Sequence, residues 1–225
     1  MKIVAFSDTH GVRPLPIVDP CDVVAIAGDF IPLEVQRNSK KSKQWFKNVF
    51  LEWAKDIQCE KIILVGGNHD FFLDWSGKEK IKSIISEAGL EDKVIYLQDE
   101  LYEYKGKTFY GTPCCEGPRG WAFVPTDTQV YYEKIPSCDV LITHQPPRVE
   151  KVGCSFPGTM WEENWGSEKL RLAMIDKDIK INICGHIHTG THGGVQDGYY
   201  DRKIYNVSIL DEQYKIQYQL TEIEL

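Results

Sequence analysis

At 225 residues, with 42% hydrophobic and 12% aromatic content, the chain can bury a large core, which excludes a disordered protein. A formal net charge of −7 argues against a broad nucleic-acid footprint and gives no attraction to an anionic membrane surface. Seven cysteines, an odd number without a CxxC pair, indicate neither a disulfide framework nor a zinc ribbon.

In chain order, Lys2–Phe6 and Val23–Ala27 are continuous apolar runs, the pattern of strands buried on both faces. From Ser42 to Gln58 the apolar residues Phe46, Val49, Phe50, Trp53, Ala54 and Ile57 form a helical stripe. A third buried strand at Lys61–Val65 ends in Gly66-Gly67, and a helix over Lys78–Ala88 stops at Gly89. Val94–Leu97, Leu101–Tyr104 and Thr108–Gly111 read as short strands, with a tight turn at Lys105-Gly106-Lys107. Val140–Thr143 is a strand, Glu168–Asp176 a helix and Ile179–Cys184 a strand. Further strands are predicted at Ile204–Leu210 and at Tyr214–Leu220, where Ile216, Tyr218 and Leu220 alternate. Alternating β/α followed by hairpins predicts one α/β domain over residues 1–225, two sheets face to face with helices outside. The N-terminal apolar run, interrupted at Asp8, is too short for a signal peptide, and no stretch reaches transmembrane length. The expected location is cytoplasmic, with no membrane and no stable nucleic-acid partner.

Five of the six histidines fall in four clusters that each follow a strand. These are Ser7-Asp8-Thr9-His10, Gly67-Asn68-His69-Asp70, Thr143-His144-Gln145-Pro146-Pro147 and Gly185-His186-Ile187-His188; Gly28-Asp29-Phe30 follows another strand. Asp8 and His10 are two apart at a strand end, as are His186 and His188, so each pair points the same way. Oxygen and imidazole groups delivered by several strand ends suit a site for more than one hard or borderline ion, Mn²⁺, Fe or Zn²⁺. Two divalent ions against the carboxylates of Asp8 and Asp29 leave a surplus of about two positive charges. That surplus favours hydroxide as nucleophile and an anionic oxygen as substrate. Ions roughly 3.5–4 Å apart can clamp both oxygens of an in-line phosphoryl displacement.

Asp-x-His, Gly-Asp, Gly-Asn-His-Asp, His and Gly-His-x-His, in this order between residues 8 and 188, resemble the calcineurin-like metallophosphoesterase superfamily. The blocks Gly28-Asp29-Phe30, Ile95-Tyr96-Leu97-Gln98-Asp99, Tyr110-Gly111-Thr112-Pro113, His144-Gln145-Pro146-Pro147 and Cys184-Gly185-His186-Ile187-His188 look closer to its small metallophosphoesterase-domain-containing phosphodiesterase branch. The resemblance implies a four-layer αββα sandwich with two divalent metal ions. Asp8, His10, Asp29 and His188 would hold the first ion, and Asp29 as a bridge with Asn68, His144 and His186 the second. His69 would be catalytic, protonating the leaving oxygen or steadying the transition state. The implied reaction is hydrolysis of a small phosphoester substrate by metal-bound hydroxide, with a phosphodiester, including a cyclic nucleotide, favoured over a phosphomonoester. A scaffold with a degraded site is disfavoured because every ligand position is filled. Phe30-Ile31-Pro32-Leu33 replaces the Asp-Arg-Gly of serine/threonine protein phosphatases, which argues against phosphoprotein substrates. Arg13, Arg119 and Arg148 are candidate substrate clamps, Asp70 a structural closer of its turn, and His192 a solvent-exposed loop residue. Gln145 and the insert Val149–Trp165 fall outside the superfamily pattern.

Overall fold

The computed structural model describes residues 1–12, 19–149, 151–156, 158–197 and 201–225; the candidate clamp Arg13 lies outside them. The apolar runs of the first half become β1 (Lys2–Phe6), β2 (Cys21–Ala27), β3 (Cys59–Val65) and β4 (Val94–Tyr96), paired in parallel in that order. The second half builds on β5 (Glu100–Tyr104), β6 (Lys107–Thr112) and β7 (Val140–Thr143). A small ribbon in the insert, β8 (Cys154–Ser155) with β9 (Glu163–Asn164), precedes β10 (Ile181–Cys184), β11 (Gly193–Asp197) and β12 (Arg202–Asn206). β6, β7, β10 and β12 run parallel, with β5 and β11 added antiparallel at the edges. The last strand, β13 (Thr221–Glu224), returns to pair antiparallel with β1. Among the described residues this gives a five-stranded and a six-stranded mixed sheet.

Residue parity sets the layers. Ile3 and Ala5 of β1, with Val23 and Ala25 of β2, face Val140, Ile142 and Ile183 of the other sheet. Their neighbours Val4, Phe6, Val24 and Ile26 face the opposite way, onto helices. Successive side chains on a strand point to opposite faces, so a strand covered on both sides must be apolar throughout. The helices over the first sheet are α1 (Ser39–Trp45), α2 (Leu51–Asp56), α3 (Phe71–Ser76) and α4 (Lys78–Glu87). α5 (Gln129–Tyr132) and α6 (Glu168–Asp176) cover the second with Tyr132, Leu170 and Met174. The result is the expected α/β sandwich of two sheets flanked by helices. No described helix is long and apolar enough to cross a membrane.

The helix expected from Ser42 begins at Ser39, because Asn38 Oδ1 accepts the Lys41 N–H at 3.0 Å and caps it. A π turn at Phe46–Phe50 joins α1 to α2 and stacks Phe46 on Phe50 at 5.3 Å, both buried under the first sheet. Lys105 and Gly106 both take positive φ, as a two-residue hairpin between β5 and β6 requires. Gly89, at φ +69, ends α4 as expected.

The strand expected at Tyr214–Leu220 does not form. Asp211 Oδ1 takes the N–H groups of Gln213 and Lys215, both at 2.9 Å, and coils the chain before it can extend. Tyr214 sits at φ +58 and Ile216 is 58% exposed, so the alternation has no sheet face to bury against. The strand predicted at Ile204–Leu210 ends at Asn206; beyond it Ser208 bridges to Ser7 and links the two sheets.

Candidate metal centre

Five parallel strands from the two sheets end at one edge. β1 delivers Asp8 and His10, β2 Asp29, β3 Asn68 and His69, β7 His144, and β10 His186 and His188. Carboxyl ends of parallel strands are where α/β sheets bind ligands. Asp8, His10, Asp29 and His186 all have positive φ, from 42° to 71°, a conformation costing L-residues about 1–2 kcal/mol each. Cross-loop bonds hold them there: Asp8 N–H donates to Gly28 O at 3.0 Å, and His10 N–H to Asp29 O at 2.9 Å.

Asp29 sits at the centre. Its Oδ1 accepts the His69 N–H at 2.8 Å, and its Oδ2 lies 3.1 Å from His144 Nε2, 3.9 Å from His10 Nε2 and 4.0 Å from His69 Nε2. Asp8 Oδ2 accepts from the Ser7 hydroxyl, from Ser208 Oγ at 2.7 Å and from the His186 N–H at 3.0 Å; its Oδ1 faces His188 Nε2 at 3.3 Å. Among the described residues, three groups have ligand atoms within 4.8 Å of one another: Asp8 with His10 and His188, Asp8 with Asp29 and His144, and His10 with Asp29 and His69. Asn68 Oδ1 approaches His144 Nε2 at 3.0 Å, and the His144 and His186 rings meet edge to face at 5.0 Å. All eight residues singled out in the sequence thus gather at one place. His69, expected beside the ligands, is drawn into one of the ligand-like groups.

The surroundings fix which imidazole nitrogen faces inward. His144 Nδ1 donates to Ala27 O at 2.8 Å and His188 Nδ1 to Asp211 O at 3.1 Å, leaving both Nε2 atoms on the carboxylates. Burial opposes charge on His144, but Asp29 and Asp8 overcome it and hold the ring up at about 10. The Asp8 hydrogen bond likewise raises His188 to about 9 against its burial. Burial outweighs the carboxylates at His10, which falls to about 4, and burial with the nearby His144 brings His186 to about 4. Asp8 and Asp29 are held below the usual carboxylate range, the imidazoles overcoming the burial penalty.

Two buried carboxylates facing a ring of imidazoles fit divalent cations. Oxygen and neutral imidazole suit hard and borderline ions, a cation would replace the imidazolium protons, and His10 Nδ1 is buried with no hydrogen-bond partner among the described residues.

Glycine is required where the carboxylates touch backbone. A Cβ on Gly67 would stand 2.2 Å from Asp29 Oδ1, and one on Gly185 would stand 2.1 Å from Ser7 Oγ and 2.3 Å from Asp8 Oδ2. Gly67→Ala is therefore expected to displace Asp29 and weaken Mn²⁺ binding about tenfold or more, the scale of a disturbed ligand support. Calorimetric titration with Mn²⁺ checks this; wild-type affinity in the variant would show that Asp29 moves aside freely.

Other contributors gave little sequence signal. Gln36 Oε1 meets His69 Nδ1 at 2.8 Å, and Tyr214 lies edge-on to His10 and His188 at 5.1 and 5.6 Å. Asp70 was expected to close its own turn; it also ties the β2 and β3 loops together. Its Oδ2 accepts from Gly67 and Asp29 N–H at 2.8 Å each, and its Oδ1 from Ile31 N–H at 3.0 Å. His192 is not solvent-exposed but half-buried, stacked on Tyr218, its ring nitrogens 2.9 Å from the carbonyls of Ser208 and His188. Arg119 is exposed. Arg148 lines a cleft of about 640 Å³ that opens from Asn68 and His186 between Trp121 and Trp165.

A family model described as calcineurin-like phosphoesterase matches residues 1–190. Metallophosphoesterase domain-containing protein 1 of Homo sapiens is 30% identical over 227 residues, covering 88% of this chain and 63% of that protein. UPF0046 protein T07D4.2 of Caenorhabditis elegans is 28% identical over 241 residues, covering 88% and 54%. The chain thus spans less than two thirds of the length of these curated relatives. Among solved structures, phosphopantetheinyl hydrolase (PptH) from Mycobacterium tuberculosis superposes with a TM-score of 0.59 at 15% identity, over 99% of this chain and 95% of that one, a likeness of fold.

Proposed function

The chain belongs to the calcineurin-like phosphoesterase family, and from that premise we propose that it hydrolyses a small phosphodiester using two divalent cations. The observation that carries this reading is the convergence of three imidazole Nε2 atoms on Asp29 Oδ2, with Asp8 and His188 alongside. Asp8, His10, Asp29 and His188 would hold one cation; Asp29, Asn68, His144 and His186 would hold the other. When bound, the pair supplies Lewis acidity toward phosphoryl oxygens and makes hydroxide available near neutral pH.

The remaining work falls to the protein's own groups. Ser7, Ser208 and the His186 N–H hold the Asp8 carboxylate in one orientation. With Gln36 Oε1 accepting from His69 Nδ1, the His69 Nε2 atom faces the centre and is the one to pass a proton to the departing alkoxide. Burial lowers His69, so the ring gives up its proton more readily than a free imidazole. The cleft beyond Asn68 and His186 is wide enough for the organic part of the ester. By formal charge, two divalent cations, the carboxylates of Asp8 and Asp29 and one hydroxide would sum to +1, which a monoanionic diester would neutralise and a dianionic monoester would exceed.

The test is turnover of metal-stripped protein on a generic phosphodiester and its matching monoester after Mn²⁺ is restored. Faster, metal-dependent diester cleavage supports the reading; faster monoester cleavage replaces it with a phosphomonoesterase. His69→Ala is expected to lower kcat about 10²–10⁴-fold while elemental analysis finds unchanged metal. Undiminished turnover in that variant would remove His69 from the chemistry.

A further inference from the structure

Gln145 is neither a candidate ligand nor a proton carrier, yet it is only 3% exposed at the end of β7, next to His144. Both ends of its amide are used. Oε1 accepts the Glu116 N–H at 2.6 Å, and Nε2 donates to the Trp165 carbonyl at 2.9 Å. Both partners line the cleft, Glu116 in the segment carrying Trp121 and Trp165 in the insert. The Trp121 wall is anchored at its far end, where the Ala122 N–H donates to Asn68 O at 3.1 Å. The insert is tethered at its base, where the Ser167 N–H donates to Pro146 O at 2.9 Å. The Trp165 ring, 51% exposed, bonds through Nε1 to Glu163 of the same insert, so ring packing does not position that wall.

We propose that Gln145 is a specificity-determining positioning residue whose side-chain amide sets the separation of the two cleft walls, and with it the size of organic group a phosphoester can carry into the site. This rests on the phosphoesterase reading above. The amide acts as a strut of fixed length with a donor at one end and an acceptor at the other; Gln145 is itself buried, so a lost bond is only partly replaced by water. A substituent too small to reach the walls is indifferent to the strut; a large one must fit between them.

Two variants separate the walls. Gln145→Glu keeps the acceptor toward Glu116 but turns the donor toward Trp165 into a second acceptor facing a carbonyl; Gln145→Leu removes both bonds. Mn²⁺-loaded wild type and variants are assayed on methyl p-nitrophenyl phosphate and phenyl p-nitrophenyl phosphate, which share a leaving group. The expected result is a change of about fivefold or more in KM for the phenyl ester in both variants, with kcat/KM for the methyl ester within about twofold of wild type. An equal loss on both esters would mean that Gln145 acts through His144 or the fold, and would overturn the proposal. Hydrogen exchange on the same proteins reads the strut without catalysis. The Glu116 amide, which donates to Gln145 Oε1, should be protected in wild type and Gln145→Glu but not in Gln145→Leu. Identical exchange in all three proteins refutes the strut. Failure of the wild type to cleave either ester would instead remove the phosphoesterase reading, leaving exchange to judge the strut.

Discussion

Asp29→Asn is expected to reduce bound Mn²⁺ from two equivalents to one or none and to lower kcat/KM about a thousandfold or more. The substitution keeps the shape of the side chain and the acceptor for the His69 N–H, so it isolates the charge. That charge sits where three imidazoles converge, and one Asp29 oxygen is the shared neighbour of both proposed cation positions. An amide offers no net charge to either cation, and the stabilisation of phosphoryl-transfer charge by a metal pair amounts to several kcal/mol, with each 1.36 kcal/mol worth about tenfold. Elemental analysis and turnover, measured on the same sample, check this. Two equivalents of tightly held Mn²⁺ in the variant would contradict the bridging role, whatever happened to the rate.

The second large effect is on stability. Asp70→Ala leaves three buried N–H groups, those of Gly67, Asp29 and Ile31, without the acceptor they share. An unsatisfied buried donor costs about 1–3 kcal/mol, so the variant should lose about 3–5 kcal/mol after relaxation, a large share of a typical stability of about 5–15 kcal/mol. For a chain of this length that corresponds to a fall in Tm of about 10 °C or more. Asp70→Asn, which keeps one carbonyl acceptor, should lie between the two. Burial and the nearby Asp29 push Asp70 up to about 7, against its backbone donors. A Tm within a degree or two of wild type would mean that the β2 and β3 loops hold each other without Asp70.

What the sequence disclosed follows from where its signals are local. β1, β2, β3, β7 and β10 were legible because burial on both faces demands unbroken apolar runs, and the candidate ligands because they follow those runs directly. Tyr214–Leu220 misled because alternation marks a strand only when a sheet offers it a face, and Asp211 coils the chain first. Gln36 was invisible: its partner lies 33 residues away, and neither position carries a periodic or turn signature. Asp70 was half legible, since an acid after Asn-His reads as a turn closer, whereas its bonds to Asp29 and Ile31 bridge 41 and 39 residues. His192 was read as exposed from its glycine-rich neighbourhood, although the fold lays it against Tyr218. We propose that residues 1–225 form a single domain, so limited proteolysis is expected to find no readily cut linker between the two sheets.

The contact between Asp8 and His188 joins residues 180 positions apart, and each carboxylate has partners delivered by both sheets. The first sheet alone can bring His10, Asp29 and His69 together, but the Asp8–His188 and Asp29–His144 contacts need both sheets in place. Loop closure over such distances comes late and slowly, after the local pairings of each sheet have formed. A divalent cation would thus find its full set of candidate ligands only after the two sheets have met. A half-folded chain exposes scattered histidines and acids with little grip on a cation, and strong chelation begins only when the two halves have met in register.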